Sequence, residues 1–289
     1  MLTDDAAITA LLPVKEYDPR FLREAIGSVF SQTSADWRLL VVLDPAAAEL
    51  ADRAILTDAL KDPRVGVTPN RGRKLAGSFN TGMRVSQTEF VAILLGDDLW
   101  APEAVEVLTD NIRGHPDVDF FYTARRFVDD EAHSISGIYE PPQEVSAEDF
   151  LFGSPVKHLL CWRRLKALSF GGMDETLNNV GSDDYDFPWT MLEHGAKFRA
   201  VPECLYYYRD HRKSYRLTTH QTRKHHLREL TRILEKHGAT RAQIALNLRR
   251  AKRSYLPQCL YRNELDRWWK ERTGFDPERA MRRRYRSGK

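Results

Sequence analysis

A chain of 289 residues, 42% of them hydrophobic, is long enough for one large α/β domain or two smaller ones. Its three cysteines (Cys161, Cys204 and Cys259) are odd in number and widely spaced, which excludes a disulfide framework and a CxxC metal site, and no apolar run approaches the ~20 residues of a membrane span. The net charge of +3 hides an asymmetry: residues 222–289 carry 20 Lys and Arg against 7 Asp and Glu, while residues 1–221 carry 24 against 34.

In chain order, Ile8 to Val14 is a short apolar strand, with Pro13 better suited to its end than to its middle. Phe21 to Phe30 has apolar residues at 21, 22, 25, 26, 29 and 30, a helical period. Leu39 to Leu43 reads as a second buried strand ending at Asp44-Pro45, and Ala46 to Leu60 as a second helix. Val65 to Thr68 is a third strand; after the turn-rich Asn70 to Lys74, Leu75 to Val85 is a helix. The fourth strand is Val91 to Leu95. It is apolar on both faces, as in a parallel sheet, and ends in Gly96-Asp97-Asp98. Pro102 opens the next helix. Four alternations of strand and helix predict an α/β fold with a doubly wound, mostly parallel sheet flanked by helices.

Beyond that helix, Val118 to Tyr122 is a strand, Asp129 to Val145 a polar excursion holding Pro141-Pro142, and Val156 to Trp162 a further strand. A turn-rich Phe170 to Glu175 and an acidic Asp183 to Asp186 precede a helix that runs to Glu193, with Gly195 as its cap. Phe198 to Tyr208 holds one or two last strands. Helices rich in Arg and Lys follow, with apolar positions at Leu227, Leu230, Ile233 and Leu234, then over Ile244 to Ala251 and Leu265 to Lys270.

Three acidic clusters fall at strand ends or a helix start: Asp44; Asp97 with Asp98; and Asp183, Asp184 and Asp186. In open α/β sheets the carboxyl ends of strands face the ligand crevice. Adjacent carboxylates repel unless a cation neutralises them, and oxygen-only sites suit Mg²⁺ or Mn²⁺. The alternative for Asp97 and Asp98 is that they stop a strand and cap a helix.

Taken together, Leu11 to Val14, Leu22 to Thr33, Trp37 to Asp44, Asp62 to Val65, Gly77 to Gly82, Leu95 to Trp100, Gly171 to Glu175, Asp183 to Phe187 and Tyr208 to His211 resemble, in order and spacing, an inverting family-2 glycosyltransferase of the GT-A fold. The resemblance covers Ile8 to His211, about 70% of the chain. It implies a GT-A domain over residues 1–221, with a nucleotide-binding half (1–100) and an acceptor half (101–221), followed by a basic helical extension (222–289). It further implies transfer of a sugar from a UDP- or dTDP-sugar, with Mn²⁺ or Mg²⁺, to a hydroxyl of a glycan, a lipid-linked glycan or a small molecule.

By the same resemblance, Asp44 would accept from the donor's base, and Pro13, Val14 and Glu16 would line that pocket. Arg71, Lys74 and Asn80 would serve the donor, and Asp97 would bind metal and diphosphate. Asp98 and His211 would share the metal. Asp184, with Asp183 beside it, would be the general base, and Trp100, Asp174 and Glu175 would border the acceptor. Four features depart from the family pattern: Leu95 stands where an acid is usual, Phe79 where an Arg is usual, Asp44-Pro45-Ala46 where two acids and Gly-Ser are usual, and Asp183 where a Glu is usual.

The odd, widely spaced cysteines make reduced thiols and a cytoplasmic protein the default, and Met1 to Asp5 has no signal-peptide pattern; the basic C-terminal part suggests contact with the inner face of a membrane, since anionic lipid attracts Lys and Arg. Two alternatives are a catalytically inactive nucleotide-sugar-binding protein, motivated by Leu95 and Phe79, and a nucleic-acid-binding protein, motivated by the basic end. No reader motif supports nucleic acid.

Overall fold

The computed structural model describes residues 6–52, 54–177, 181–210 and 223–255. The chain divides into two compact units, Met1–Arg212 and Lys213–Lys289.

The first unit opens with β1 (Ile8–Val14), α1 (Pro19–Phe30) and β2 (Trp37–Leu43). Asp18 starts α1 by accepting from the N–H groups of Arg20 (2.9 Å) and Phe21 (3.4 Å), and Pro19 supplies a preset first turn. One face of α1 buries Phe21, Leu22, Ala25, Ile26 and Val29. The single helix expected from Ala46 to Leu60 is divided into a 3₁₀ segment, Pro45–Asp52, and α2 (Ala54–Ala59). Then come β3 (Val65–Pro69), α3 (Lys74–Val85), β4 (Phe90–Ile93), the two-residue β5 (Leu99–Trp100) and α4 (Ala104–Gly114).

The later half contains β6 (Phe120–Val128), a 3₁₀ turn at Ala147–Phe152, β7 (Leu160–Arg163), α5 (Arg164–Leu168), a π-helical turn at Ser182–Asp186, α6 (Phe187–Glu193) and a twelve-residue β8 (Phe198–Arg209). The polar excursion after β6 folds back on it through bridges Arg125–Tyr139 and Val128–Ser134.

All eight strands form one sheet in the order β3-β2-β1-β4-β7-β6-β8-β5. The first four, β3 to β4, are parallel, as expected from alternating strands and helices. Beyond them the sheet is mixed: β7 runs antiparallel to both β4 and β6, β6 and β8 are parallel, and β5 is antiparallel to β8. Pro13 lies past the last β1–β4 pair, Leu11–Ile93, where its missing N–H costs that side no ladder bond. The core joins β1, β2 and β4 to α1, α4, β8 and Trp100. Helix α3 is buried nearly all round because it lies against β1 and β2 on one side and against α5 and the 182–186 turn on the other.

In the second unit, α7 (Arg223–Lys236) and α8 (Arg241–Tyr255) pack against each other. Ile233 and Leu234 are fully buried, and the buried Glu229 pairs with Arg232 at 3.1 Å. The expected helix at Leu265 to Lys270 lies outside the described residues. No helix among the described residues is long and apolar enough to cross a membrane.

Candidate active site

The site lies around the carboxyl ends of β1, β2 and β4 and the segments that follow β6 and α5. Val14 ends β1 buried, Pro13 is half-buried and Glu16 exposed. The Asp44 N–H donates to the Val14 carbonyl (2.8 Å), so the ends of β1 and β2 are held together. Asp44 also accepts from the Ala46 N–H (3.0 Å), which turns the chain out of the sheet.

The next strand end separates the two neighbouring acids. Asp97 is half-buried. Asp98 is 1% exposed, and both its oxygens are engaged: Tyr206 Oη donates at 2.7 Å and the Arg209 N–H at 2.7 Å. Burial first, and then repulsion from Asp97, push the Asp98 carboxyl well above its usual range. The expectation that Asp98 would share a metal therefore fails on geometry. It is an internal tie between the acidic loop and β8. Trp100, expected beside the acceptor, is also internal. It is 2% exposed, and its indole N–H donates to the Ile93 carbonyl at 3.0 Å.

Arg209, at the end of β8, is the keystone of this loop. Its buried guanidinium donates to the Asp97 carbonyl (2.8 Å), to the carbonyls of Asp129 (3.2 Å) and Asp130 (2.6 Å), and to Glu24 (2.5 Å). It also lies over the Phe21 ring, 4.4 Å from the centroid. Every one of these acceptors comes from a distant part of the sequence.

The loop before α3 is clamped to the segment 173–177. Asn80 donates to the Met173 carbonyl (2.9 Å) and to Glu175 (2.8 Å), and accepts from the Met173 N–H (2.8 Å). Glu175 also accepts from the Arg73 N–H (2.8 Å) at the α3 N-terminus, where a carboxylate is favoured. Asn80 is 1% exposed, so the expected donor contact at Asn80 gives way to a structural clamp, in which the half-buried Glu175 also takes part. Gly172 is required there. It has φ +81°, and a Cβ would stand 2.3 Å from Asn80 Oδ1. Lys74 reaches the Leu177 carbonyl (3.1 Å), Arg71 is exposed, and Asp174 accepts from Thr176 (2.7 Å).

The third acidic cluster occupies the π-helical turn before α6. Gly181 enters it with φ +62°. Asp183 is paired with His158 Nε2 (3.3 Å), and Asp184 with Lys157 Nζ (3.0 Å). The Asp184 side chain is 26% exposed. Burial acts to raise its carboxyl, but Lys157, His158 and Arg125 outweigh that and hold it below the ordinary carboxylate range. Arg125, on β6, acts on both Asp184 and Asp98, so the second and third acidic clusters share one end of the sheet. His211 lies outside the described residues.

Lys157, His158, Arg125, Tyr206 and Arg209 carry the electrostatics here, and the sequence reading gave none of them a role. A signal was present for the first two, which interrupt an otherwise apolar run at 156–162. No group of three or more His, Cys, Asp or Glu among the described residues could hold a metal by itself. A divalent ion with one carboxylate from the protein and the remainder from substrate phosphates and water is nonetheless an ordinary Mg²⁺ arrangement, and Asp97 fits that part.

The model of glycosyl transferase family 2 matches residues 9–164. The chain is 27% identical over 207 residues to the O-antigen biosynthesis protein RfbC of Myxococcus xanthus, a match that covers 70% of this chain and 16% of RfbC. Over 149 residues it is 25% identical to the UDP-Glc:alpha-D-GlcNAc-diphosphoundecaprenol beta-1,3-glucosyltransferase WfgD of Escherichia coli, covering 51% of this chain and 56% of WfgD. The chain thus spans about a sixth of the first relative and just over half of the second. Among solved structures, S. aureus TarS 1–349 in complex with UDP-GlcNAc aligns with a TM-score of 0.61 at 14% identity, over 83% of this chain and 70% of TarS 1–349. Mannosyltransferase PcManGT from Pyrobaculum calidifontis, in complex with GDP-Man and Mn²⁺, aligns with a TM-score of 0.54 at 16% identity, over 86% and 69%. At such identities the structures speak for the fold. The family model spans more than half of the chain's length, so this chain belongs to glycosyl transferase family 2.

Proposed function

We propose that this protein transfers a sugar from a nucleoside-diphosphate donor to an acceptor hydroxyl with inversion, and that Asp184 is its general base. The observation that carries this reading is the state of Asp184: a carboxylate with a quarter of its side chain open, kept ionised by cations from two other elements. The acceptor hydroxyl loses its proton to Asp184 as its oxygen bonds to the anomeric carbon. The bond from that carbon to the diphosphate oxygen breaks with its electron pair, on the opposite face. Configuration inverts, and no covalent enzyme intermediate forms. Asp183 orients the turn through His158.

Asp97 would hold Mn²⁺ or Mg²⁺ on the donor diphosphate, and such an ion would neutralise the leaving group. By the family resemblance, His211 would share that ion. Asp44, Pro13, Val14 and Glu16 would receive the base and ribose, because a carboxylate accepts the imide N–H of uracil or thymine. Arg71 and Lys74 would face the phosphates. UDP- or dTDP-sugars are therefore the donors expected, and a glycan, lipid-linked glycan or small hydroxyl compound the acceptor. The basic helices α7 and α8 would meet an anionic lipid or glycan surface at the cytoplasmic face of a membrane.

The test is the thermal stability of the full chain with UDP, dTDP or GDP, each with and without Mn²⁺. A ligand of the folded state raises its stability, by about 2.7 kcal/mol at a hundred times Kd. One diphosphate should raise the midpoint only when Mn²⁺ is present. No metal-dependent shift with any of the three would sink the donor-site assignment.

A further inference from the structure

The charges of Lys157 and Arg125 both act on Asp184, and beyond keeping that carboxylate ionised the proposed transfer step gives them no part. Lys157 Nζ lies 3.0 Å from Asp184 Oδ2, and the Lys157 side chain is 36% exposed. A carboxylate held in that pair is a poor proton acceptor, so something must draw Lys157 off before Asp184 can act.

Arg125 is the second cation. It follows at once upon the register shift between β6 and β8 at Thr123 to Arg125, a kind of irregularity that re-aims a side chain. Its guanidinium lies over Phe127 and Tyr208, 5.2 and 5.5 Å from the ring centroids. Its charge acts on Asp184 and Asp98. Yet among the described residues it forms no ion pair and no side-chain hydrogen bond. Arg209 shows what a satisfied guanidinium looks like in the same sheet, with four acceptors around it. A partly buried guanidinium with aromatic walls and idle donors is a site for a planar or tetrahedral oxyanion.

Stereochemistry says which reactant brings the anion. In a single displacement the attacking and leaving oxygens lie on opposite faces of the anomeric carbon. A cation hydrogen-bonded to the general base is therefore on the acceptor side, with the sugar between it and the diphosphate.

We propose that the acceptor is anionic, carrying a carboxylate or phosphate beside its reacting hydroxyl, and that Arg125 and Lys157 grip that group. This rests on the assignment of Asp184 as base. The oxyanion is unchanged by the reaction: as it binds, Lys157 turns from Asp184 to it, and the freed carboxylate takes the hydroxyl proton.

The experiment pairs acceptors that differ in charge: glucuronate against glucose, and glycerol 3-phosphate against glycerol. Nucleoside diphosphate release is measured with the matching donor. Calorimetric binding to the full chain saturated with nucleoside diphosphate and Mn²⁺ is measured alongside. The charged member of at least one pair should be favoured at least about tenfold, the scale of one charge-assisted hydrogen bond. The favoured pair tells carboxylate from phosphate. Arg125→Gln should bring the charged-to-neutral ratio close to one, and Arg125→Lys should keep part of it; a ratio is unaffected by a smaller folded fraction. Equal treatment of charged and neutral members in both assays overturns the proposal. So does Arg125→Gln weakening nucleoside diphosphate binding with the ratio intact, since the oxyanion would then be the donor's. Loss of the metal-dependent diphosphate shift in the unsubstituted protein would remove the donor site itself, and is read separately on the same samples.

Discussion

Tyr206 donates its phenolic hydrogen to the buried Asp98 carboxylate across 2.7 Å, although the two residues stand 108 positions apart. That bond joins the acidic loop after β4 to β8, and the Leu95 N–H reaches the same hydroxyl at 3.3 Å. Tyr206→Phe leaves a buried carboxylate oxygen without its donor. It should cost about 1–3 kcal/mol in urea unfolding, with a further loss of metal-dependent nucleotide binding as the loop relaxes. An unchanged unfolding midpoint would remove Asp98 from its role as a tie.

Asp98 also sets a pH dependence of stability. Its carboxyl in the folded protein is raised, by burial and then by Asp97. The folded state therefore holds this proton more tightly than the unfolded chain. Its contribution to stability is full below the ordinary carboxylate value of about 4 and is lost as pH rises toward the raised value. The groups facing it are Asp97 on its own loop, Arg125 on β6, and Tyr206 with the Arg209 N–H on β8. Relative to Asp98→Asn, the unsubstituted protein should lose stability as pH is taken upward from 4, measured as the difference between their unfolding midpoints across that range. Parallel curves would contradict it.

Arg209→Met removes four donated bonds and leaves the Asp97, Asp129 and Asp130 carbonyls without them. Glu24 is 35% exposed and can be rehydrated, so the loss should be about 2–4 kcal/mol rather than the larger cost of stranding a fully buried charge. Chemical denaturation reads it. Under the proposed function, the Mn²⁺ concentration needed for nucleotide binding should rise as well, because the Asp97 backbone loses its anchor.

Asn80→Ala breaks three bonds inside the clamp on 173–177 and should destabilise the protein by about 2–3 kcal/mol. Gly172→Ala should do comparable damage by another route, through its positive φ and the 2.3 Å approach to Asn80 Oδ1. The double variant should lose less than the sum, because removing the Asn80 amide vacates the space the new methyl needs. Strict additivity would show that the two do not share one contact.

Under the proposed mechanism, Asp184→Asn abolishes transfer and spares donor binding, whereas Asp97→Asn weakens metal-dependent donor binding itself. The acid limb of kcat/KM should lie below the ordinary carboxylate range, since Lys157, His158 and Arg125 together overcome burial and keep Asp184 ionised. Lys157→Met should move that limb to higher pH. A limb that stays in place would separate Asp184 from the titration that governs rate.

The apolar runs Ile8 to Val14 and Leu39 to Leu43, the α1 stripe and the alternation up to Trp100 were readable from sequence, because burial on one or both faces imposes a local period. So were the loops after β2 and β4 and the start of the helix after the acidic turn, and with them the positions of Asp44, Asp97 and Asp183 to Asp186. The antiparallel β7 was not, since Leu160 to Arg163 has no pattern to distinguish its direction. Nor could sequence separate Asp97 from Asp98. The partners that bury Asp98, Tyr206 and Arg209, arrive from more than 100 residues away, and adjacent carboxylates look alike until one is enclosed. The same long-range packing turned Trp100 and Asn80 inward, brought Lys157 to Asp184 and set the Arg125 charge to act on it. Local chemistry determined which residue types stand at the strand ends; only tertiary packing, through desolvation and hydrogen-bond satisfaction, decided which remain open to a ligand.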